Sequence, residues 1–323
     1  MKLASAIAIC AMTALTSGAA YSQTFPGKAV RLVVAYPPGG ATDITARVLA
    51  KALNAKWGQP VIVENRPGAS GMIGAEAVVK SAPDGYTLLV GYTPEVSLNK
   101  LFFRNMSYDP DRDLLPITLL TSSPLVLAVH PSVGAKSVGE LIALAKSNPG
   151  SVNYASPGIG GQQHLAGESL ALATKTKLMH VPYKGTGPAT TDLLGGQVQM
   201  MFASIAPLLP HLRAGKLIPV GIADTRRSPL LPDVPTFIES GVARFEFVNW
   251  FGLFAPAGTS SIVAEQLNRD VIAVMRQDIT KNALEAQGLD VRTGTPKEFA
   301  DFIREEMAKY GHITREANVK IEQ

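Results

Sequence analysis

A turn of two prolines and two glycines joins an apolar run to an amphipathic segment near the start of the chain. The run at 29–34 (AVRLVV) is short and β-branched, which is typical of a buried parallel strand. Apolar residues then recur at helical spacing as far as Trp57, and Gly58 ends the pattern. Thr42 is the predicted N-cap, and Asp43 in the first turn favours the positive helix end. The sequence therefore predicts a strand, a tight turn and a helix.

The absence of side chains at two positions of this turn indicates an anion site. Gly39 and Gly40 have no side chains, so a ligand can approach their backbone N–H groups closely. Free N–H groups and the helix dipole together favour a negative charge. Pro37 and Pro38 stiffen the approach and supply no donors. An ordinary tight loop between strand and helix explains the same residues, and this stretch alone leaves both interpretations open.

The same pattern recurs at 151–174 (SVNYASPGIGGQQHLAGESLALAT), which again predicts a strand, a glycine-rich turn and a helix. Gln163 stands where the last glycine of a dinucleotide-binding GxGxxG would be, and the Lys-Ser/Thr of a phosphate-binding P-loop is absent. Two glycine-rich turns of this kind are stronger evidence for an anion site than one. They predict two helix N-termini on opposite walls of one cleft.

The rest of the chain alternates strands and helices, which predicts an α/β fold of two lobes with mainly parallel sheets. Ligands of such sheets bind beyond the carboxyl ends of the strands. Two long apolar stretches, at 114–130 and 245–258, are interpreted as paired crossovers between lobes. We expect residues 23–124 and 248–323 to form lobe 1, with the last helices returning to it, and residues 125–247 to form lobe 2.

The first 22 residues predict a cleavable signal peptide, with the cut after Ser22, and hence an exported protein. A membrane anchor is the alternative interpretation of this apolar run. Cys10, the only cysteine, would leave with the signal, so the mature chain would have no disulfide. With 30 basic and 26 acidic residues, no basic run predicts nucleic-acid binding.

Neither a metal site nor a catalytic site is predicted, and no cofactor. The five histidines show no metal-ligand spacing. Ser70 stands in GASGM rather than in the GxSxG of a nucleophile elbow, although a hydrolase using Ser70 and a histidine remains an alternative. His164 lies one turn into its helix, where it either caps the turn or lines the cleft as a donor.

Several ordered blocks carry a resemblance to a known family: YPPGGATDITAR, VIVENRPGASGMIGAEAVVKSAPDGYTLLVG, YASPGIGGQQHLAGE, VPYKGTGPATTDLLGGQVQMMF, LPDVPTFIESG and WFGLFAPAGT. From about Phe25 to the C-terminal helix the chain resembles the solute-binding proteins of tripartite tricarboxylate transporters, the Bug family. The resemblance implies a type II-like Venus flytrap that binds a small carboxylate in the periplasm, as a monomer, and delivers it to membrane permease subunits. It implies no enzyme activity. A binding module that reports to a membrane sensor would have the same site.

The resemblance also implies ligand-binding residues in the turns of both lobes. Those of the first turn are Pro38, Gly39, Gly40 and Asp43, and those of the second are Ser156, Gly158, Gly160, Gly161 and His164. Loops that face the cleft in the family would contribute Ser70, Thr93, Glu95, Tyr183, Lys184 and Ser204.

Glu95 departs from the family pattern, in which a neutral polar loop follows the third strand. A carboxylate facing the cleft would repel a second ligand carboxylate or pair with a ligand ammonium. We therefore expect Glu95 to select a ligand with one carboxylate, unless its side chain points to solvent.

Overall fold

The computed structural model describes residues 25–316, so the predicted signal peptide lies outside them. The described strands are β1 Val30–Val34, β2 Val61–Asn65, β3 Thr87–Tyr92, β4 Leu114–Val129, β5 Val152–Ser156, β6 Leu178–Pro182, β7 Met200–Ser204, β8 Ile218–Ala223, β9 Val248–Pro256 and β10 Asp290–Val291. The described α-helices are α1 Ala41–Trp57, α2 Met72–Val79, α3 Asn99–Phe102, α4 Pro110–Asp113, α5 Val138–Ser147, α6 Gln162–Thr174, α7 Thr186–Leu194, α8 Ile205–Arg213, α9 Ser261–Met275, α10 Asp278–Glu285 and α11 Pro296–Glu316. Short 3-10 turns occupy Ala69–Gly71 and Pro131–Val133, and a π-turn occupies Pro94–Leu98.

Two similar units form the two halves of one curled sheet. In the first half the strand order is β2-β1-β3, and in the second it is β6-β5-β7, with parallel pairing in both. Each unit is thus a strand–helix–strand–helix–strand repeat whose first strand lies in the middle. The carboxyl end of that middle strand is where ligands bind in sheets of this kind. The turn at 37–40 follows β1, and the turn at 157–161 follows β5.

The long strands β4 and β9 join the halves by antiparallel pairing. β9 pairs with β3 on one side and with β4 on the other. The partner of β4 changes along its length: residues up to Pro124 pair with β9, and those from Leu125 onward lie between β7 and β8. The two apolar stretches predicted as paired crossovers are therefore these two strands.

Each half has its own hydrophobic core, and α11 packs against both. Phe299, near its start, contacts Trp250 at a ring-centroid distance of 5.8 Å in the first half. Tyr310, near its end, is fully buried in the cluster of the second half, beside Phe247. The sequence predicts this helix in lobe 1, whereas in the structure it packs against both cores. Within residues 25–316, no helix has the length and apolar character needed to cross a membrane.

Candidate functional site

The two glycine turns share one backbone conformation. Gly39 and Gly160 have φ values of +91° and +82°, which favour glycine. The next residues, Gly40 and Gly161, are N-caps with φ/ψ of −80°/168° and −78°/166°. The predicted N-cap Thr42 is wrong, because α1 already begins at Ala41 and the extended residue before it is a glycine. Chemically different sequences, PPGG and GIGG, thus make the same entry into a helix.

Each turn is held by the side chain of the third residue of its helix. Asp43 Oδ2 accepts the Gly39 N–H at 3.0 Å, and His164 Nδ1 accepts the Gly160 N–H at 3.2 Å. Neither α1 nor α6 has a side-chain hydrogen bond at its N-cap. The N–H donors of the first helical turn therefore remain available to a ligand, with the helix dipole behind them.

Asp43 is a buried carboxylate whose oxygens are fully used by the first turn. Its Oδ1 accepts from Asn65 Nδ2 at 2.9 Å, and its Oδ2 accepts from Arg47 Nε at 2.9 Å as well as from Gly39. Burial opposes ionisation, but the hydrogen bonds from Arg47, Gly39 and Asn65 outweigh it and lower the Asp43 pKa. The carboxylate stays charged and fixes the turn rather than facing the ligand.

His164 belongs to a buried aromatic stack beneath the second turn. Its ring lies 3.9 Å from that of His180, which in turn stacks on Tyr154 at 4.9 Å. His180 Nε2 lies 2.6 Å from Ser156 Oγ, which donates to the Gly158 carbonyl at 2.7 Å. Burial lowers the pKa of His164 to about 4 and that of His180 to about 3. Only a neutral His164 can accept the Gly160 N–H, so the capping interpretation fits this geometry.

The cleft between the halves contains two neighbouring cavities. The central cavity has a volume of about 20 Å³, and its walls include Tyr36, Gly40 and Thr42 from the first half and Gln163, Thr186 and Ser204 from the second. A wider cavity of about 290 Å³ lies outside it, and the two share Tyr36 and Pro157. Ser70, Gly158, Tyr183 and Lys184 line the wider cavity.

A hydrogen-bonded network crosses the floor of the central cavity. Asn249 on β9 donates from Nδ2 to Ser204 Oγ at 2.8 Å, and its Oδ1 accepts from the Tyr92 hydroxyl at 3.1 Å. The Tyr92 hydroxyl also contacts Gln163 Oε1 from the second half. This network connects both halves through groups that are themselves buried. It provides polar partners for a ligand at the closed end of the cleft.

Small residues allow the halves to approach each other closely. A Cβ on Gly185, whose φ is +117°, would lie 2.6 Å from the Pro37 ring. A Cβ on Gly160 would lie 2.6 Å from the ring of Phe102, which is fully buried in the second core. Gly160 is predicted to bind the ligand, whereas in the structure its missing side chain makes room for Phe102. Gly40 faces the cleft, with its Cβ position 3.7 Å from Thr186 Oγ1.

The model of the family described as "Tripartite tricarboxylate transporter family receptor" matches residues 45–319. The chain belongs to this family. Protein BugT of Bordetella pertussis is 36% identical over 321 residues, covering 99% of this chain and 98% of BugT. Members of the family are periplasmic solute-binding proteins and not enzymes.

Solved structures share the two-lobe α/β fold of this receptor. R. palustris Rpa4515 with adipate is 33% identical, with a TM-score of 0.89 over 91% of this chain and 98% of that chain. MatC (Rpa3494) from Rhodopseudomonas palustris with bound malate is 34% identical, with a TM-score of 0.84 over 90% and 99%. Similarity at this level extends through both halves and both turns.

The predicted site residues of the receptor fall into three groups. Those lining the cleft are Gly40, Ser70, Gly158, Gly161, Tyr183, Lys184 and Ser204. Those buried behind it are Asp43, Thr93, Glu95, Ser156, Gly160 and His164. Those exposed in the first turn are Pro38 and Gly39. Sequence reasoning missed the cleft residues Tyr36, Thr42, Tyr92, Gln163, Thr186 and Asn249. Most of these residues lie at the end of a strand or the start of a helix, and that position could have identified them as cleft residues.

Glu95 has neither of the two positions that the sequence suggested. It is fully buried in the π-turn, so its side chain does not point to solvent, and it lies one layer behind the cleft wall. Its Oε2 lies 2.8 Å from the Tyr36 hydroxyl oxygen, and its Oε1 accepts from the Tyr92 N–H at 2.7 Å. The neighbouring Thr93 is also buried, and its hydroxyl has no hydrogen-bond partner among the described residues.

Proposed function

We propose that this receptor captures a small carboxylate between its two lobes and delivers it to the permease of a tripartite transporter. The observation that carries the proposal is the pair of matching glycine turns, each followed by a helix with no side-chain cap. A ligand carboxylate held between them would accept N–H groups from both helices and gain from both dipoles.

The strand pairing supports a hinge between the lobes. β4 exchanges partners between Pro124 and Leu125, and the Leu125 N–H donates to the Phe247 carbonyl at 2.9 Å. The proposed lobes are therefore residues 23–124 with 248–323, and residues 125–247. Rotation at these two adjacent crossovers would open the cleft to solvent. Residues 1–22 would serve as the export signal of the protein.

The dimensions of the cleft favour a ligand that lies along it. A space of about 20 Å³ has room for one water-sized group, whereas about 290 Å³ lies near the lower end of small-ligand pockets. We infer that one carboxylate enters the central cavity and that the remainder extends outward. Lys184 lines the wider cavity, where its ammonium would meet a second carboxylate. The ligands printed for two relatives, adipate and malate, are both dicarboxylates.

Titration calorimetry of the purified mature protein tests the binding step. Malate, adipate, citrate, glutamate and acetate are each titrated at pH 7, and we expect saturable one-to-one binding of a dicarboxylate with little response to acetate. A thermal-shift measurement on the same solutions should give the same order, because a ligand of the folded state raises its stability. The absence of binding by every carboxylate would overturn the proposal. Uptake of the bound carboxylate by cells with and without the receptor tests delivery.

A further inference from the structure

Glu95 stands directly behind a tyrosine that lines both cavities of the cleft. We propose that Glu95 is a positioning residue that sets the direction of the Tyr36 hydroxyl, and so decides whether this hydroxyl donates to a ligand carboxylate. The inference rests on the proposed function, because it specifies how the same cleft recognises an anion.

The environment of the Glu95 carboxyl group leaves it few partners. Oε1 accepts the Tyr92 N–H at 2.7 Å, and Oε2 lies 2.8 Å from the Tyr36 hydroxyl. Gly71 packs closely against the carboxyl group, because a Cβ on Gly71 would lie only 2.8 Å from Oε2. No further hydrogen-bond partner therefore fits on that side of Oε2. The Tyr36 hydroxyl has one further acceptor nearby, the Ser70 carbonyl, at the longer distance of 3.4 Å. The direction of the Tyr36 hydrogen therefore depends mainly on Glu95.

The charged groups on the surrounding elements do not stabilise a Glu95 anion. The titratable neighbours are the phenols of Tyr36, Tyr92 and Tyr108, and the Tyr108 hydroxyl donates to the Glu95 backbone carbonyl. Within the described residues, no Lys, Arg or His nitrogen lies within 4.0 Å of the Glu95 carboxyl group. The ionic groups on neighbouring elements form pairs of their own: Glu76–Lys80, Lys100 with Asp109 and Asp111, Arg112–Asp113, and Glu306–Lys309.

Burial accordingly raises the pKa of Glu95 to about 8, although hydrogen bonds from Tyr92 and Tyr36 act in the other direction. At pH 7 the group is a neutral acid. A neutral Glu95 accepts the Tyr92 N–H with Oε1 and donates its own hydrogen from Oε2 to the Tyr36 oxygen. The Tyr36 hydrogen is then released from Glu95, and it donates to a ligand carboxylate in preference to the neutral Ser70 carbonyl, its other acceptor at 3.4 Å.

Ionisation reverses this arrangement. The Glu95 carboxylate is only an acceptor, so the Tyr36 hydrogen turns back to Oε2 and the cleft loses a donor. The tyrosine oxygen then presents its lone pairs to the ligand anion, with a second negative charge behind it. Carboxylate binding to the ionised protein must therefore take up one proton, which returns to Glu95. Affinity should fall as the pH rises through about 8.

Calorimetric titration with malate and with adipate from pH 7 to 9.5 tests this inference. In the wild type, Kd should rise about tenfold per pH unit above about 8, and proton uptake should appear as a buffer-dependent heat. Glu95→Gln is the matched variant, because its amide accepts from Tyr92 N–H and permanently donates to Tyr36. Its Kd should show no dependence on pH between 7 and 9.5. Glu76→Gln, on the neighbouring helix, should keep the wild-type profile.

Tyr36→Phe provides the second variant, since it keeps Glu95 and removes the hydroxyl. It should bind more weakly at every pH and lose the rise in Kd above pH 8. Two results would overturn the positioning role alone, provided that the wild type binds a carboxylate at pH 7. One is the same dependence of Kd on pH in wild type and Glu95→Gln, and the other is an unchanged dependence of Kd on pH in Tyr36→Phe. The absence of carboxylate binding by the wild type at pH 7 would overturn the proposed function and this inference with it.

Discussion

Ser70 and Ile159 are joined across the cleft: Ser70 Oγ donates to the Ile159 carbonyl at 3.2 Å. Ser70 lies in the left-handed region, with φ 50° and ψ 39°, and Ala69 before it has φ 48°. Two adjacent non-glycine residues in this region are energetically costly and persist only where the surroundings hold them. Asn99 Nδ2 supplies part of that support by donating to the Ser70 carbonyl at 3.0 Å. The turn presents its hydroxyl to the opposite half at the cost of local strain.

Replacement of Ser70 by alanine should favour the open form. The loss of one hydrogen bond of about 1 kcal/mol should weaken carboxylate binding about fivefold, because the bond exists only when the cleft is closed. Calorimetry gives Kd, and small-angle scattering without ligand should show a larger radius. Ser147→Ala, an exposed serine bonded within its own helix, is the control. Equal affinities in wild type and Ser70→Ala would show that this contact does not assist closure.

Replacement of Gly40 by leucine should abolish carboxylate binding and leave the fold intact. Its backbone conformation suits any residue, and a Cβ would meet Thr186 Oγ1 at an ordinary 3.7 Å. The rest of the side chain would enter a cavity of about 20 Å³. Gly139→Leu is the matched control, since a Cβ there meets nothing within 4 Å. Retained affinity in a folded Gly40→Leu protein would exclude the central cavity as the site.

A substitution at Gly160 should have a different effect, although the two turns have the same conformation. A Cβ there would collide with the buried ring of Phe102, and its φ of +82° disfavours any side chain. We expect Gly160→Ala to lower the free energy of unfolding by about 1–3 kcal/mol, measured with urea. Gly40→Ala should be close to neutral in the same measurement, and equal losses in both variants would contradict the assignment of Phe102 as the cause.

Removal of the Asp43 side chain should disturb the first turn from behind. Asp43→Ala leaves the Gly39 N–H without its acceptor and removes one of the two hydrogen bonds that Asn65 Nδ2 donates, which should cost about 2 kcal/mol of unfolding free energy. Carboxylate affinity should fall as well, although Asp43 does not line the cleft. Asp43→Asn, which keeps one acceptor oxygen, should lie between the wild type and alanine in urea unfolding. If Asp43→Ala were as stable as the wild type, the turn would keep its conformation without the Asp43 side chain.

The stacked histidines should make stability depend on pH in the acid range. The pKa of His164 is about 4 in the fold against 6.5 when unfolded, so the unfolded chain binds more protons between these values. Stability is therefore complete above about pH 6.5 and is lost as the pH falls, by roughly 3 kcal/mol for His164 alone. His164→Gln should flatten this loss in thermal unfolding from pH 7 to 4.5, whereas the exposed His312→Gln should not.

The titration of Glu95 should lower the stability of the protein as the pH rises, which is opposite to the effect of His164 where their two pH ranges overlap. Its folded pKa of about 8 exceeds the unfolded 4.5, so the folded state binds more protons between them and stability falls as the pH rises. Glu95→Gln should remove this fall and increase the stability of the protein at pH 8.5 relative to wild type. The scans that test His164, extended upward to pH 8.5, measure both slopes, and a Glu95→Gln curve parallel to wild type would mean that Glu95 titrates normally.

Local elements were predictable because local sequence determines them. VIVEN forms β2 at Val61–Asn65, and the helix before it ends at Trp57, with Gly58 in the left-handed conformation expected of a helix stop. The turn at 37–40 was recognised from its two prolines and two glycines between an apolar run and a helical pattern. Its exact N-cap was not, because the free backbone conformation of two adjacent glycines leaves the start of the helix to tertiary contacts.

The cleft wall was less predictable because it depends on contacts distant in sequence. Tyr92 and Asn249 meet only after β3 and β9 pair, and nothing local to either residue indicates that contact. Glu95 was expected to face the ligand or the solvent, since carboxylates are rarely buried without a cation. Its burial follows from the π-turn, whose extra residue turns the side chain toward Tyr36. Such a turn has no sequence pattern comparable to helical periodicity.

The placement of β9 and α11 determines when this molecule can finish folding. β9 lies between β3 and β4, and α11 closes both cores, yet both elements come from the last quarter of the chain. The first unit therefore cannot complete its sheet until the whole of the second unit has been synthesised. Pairings over such long sequence separations form slowly. A nascent chain with this topology remains open until its C-terminal segment is available, which is the state that the proposed export signal would require for passage across a membrane.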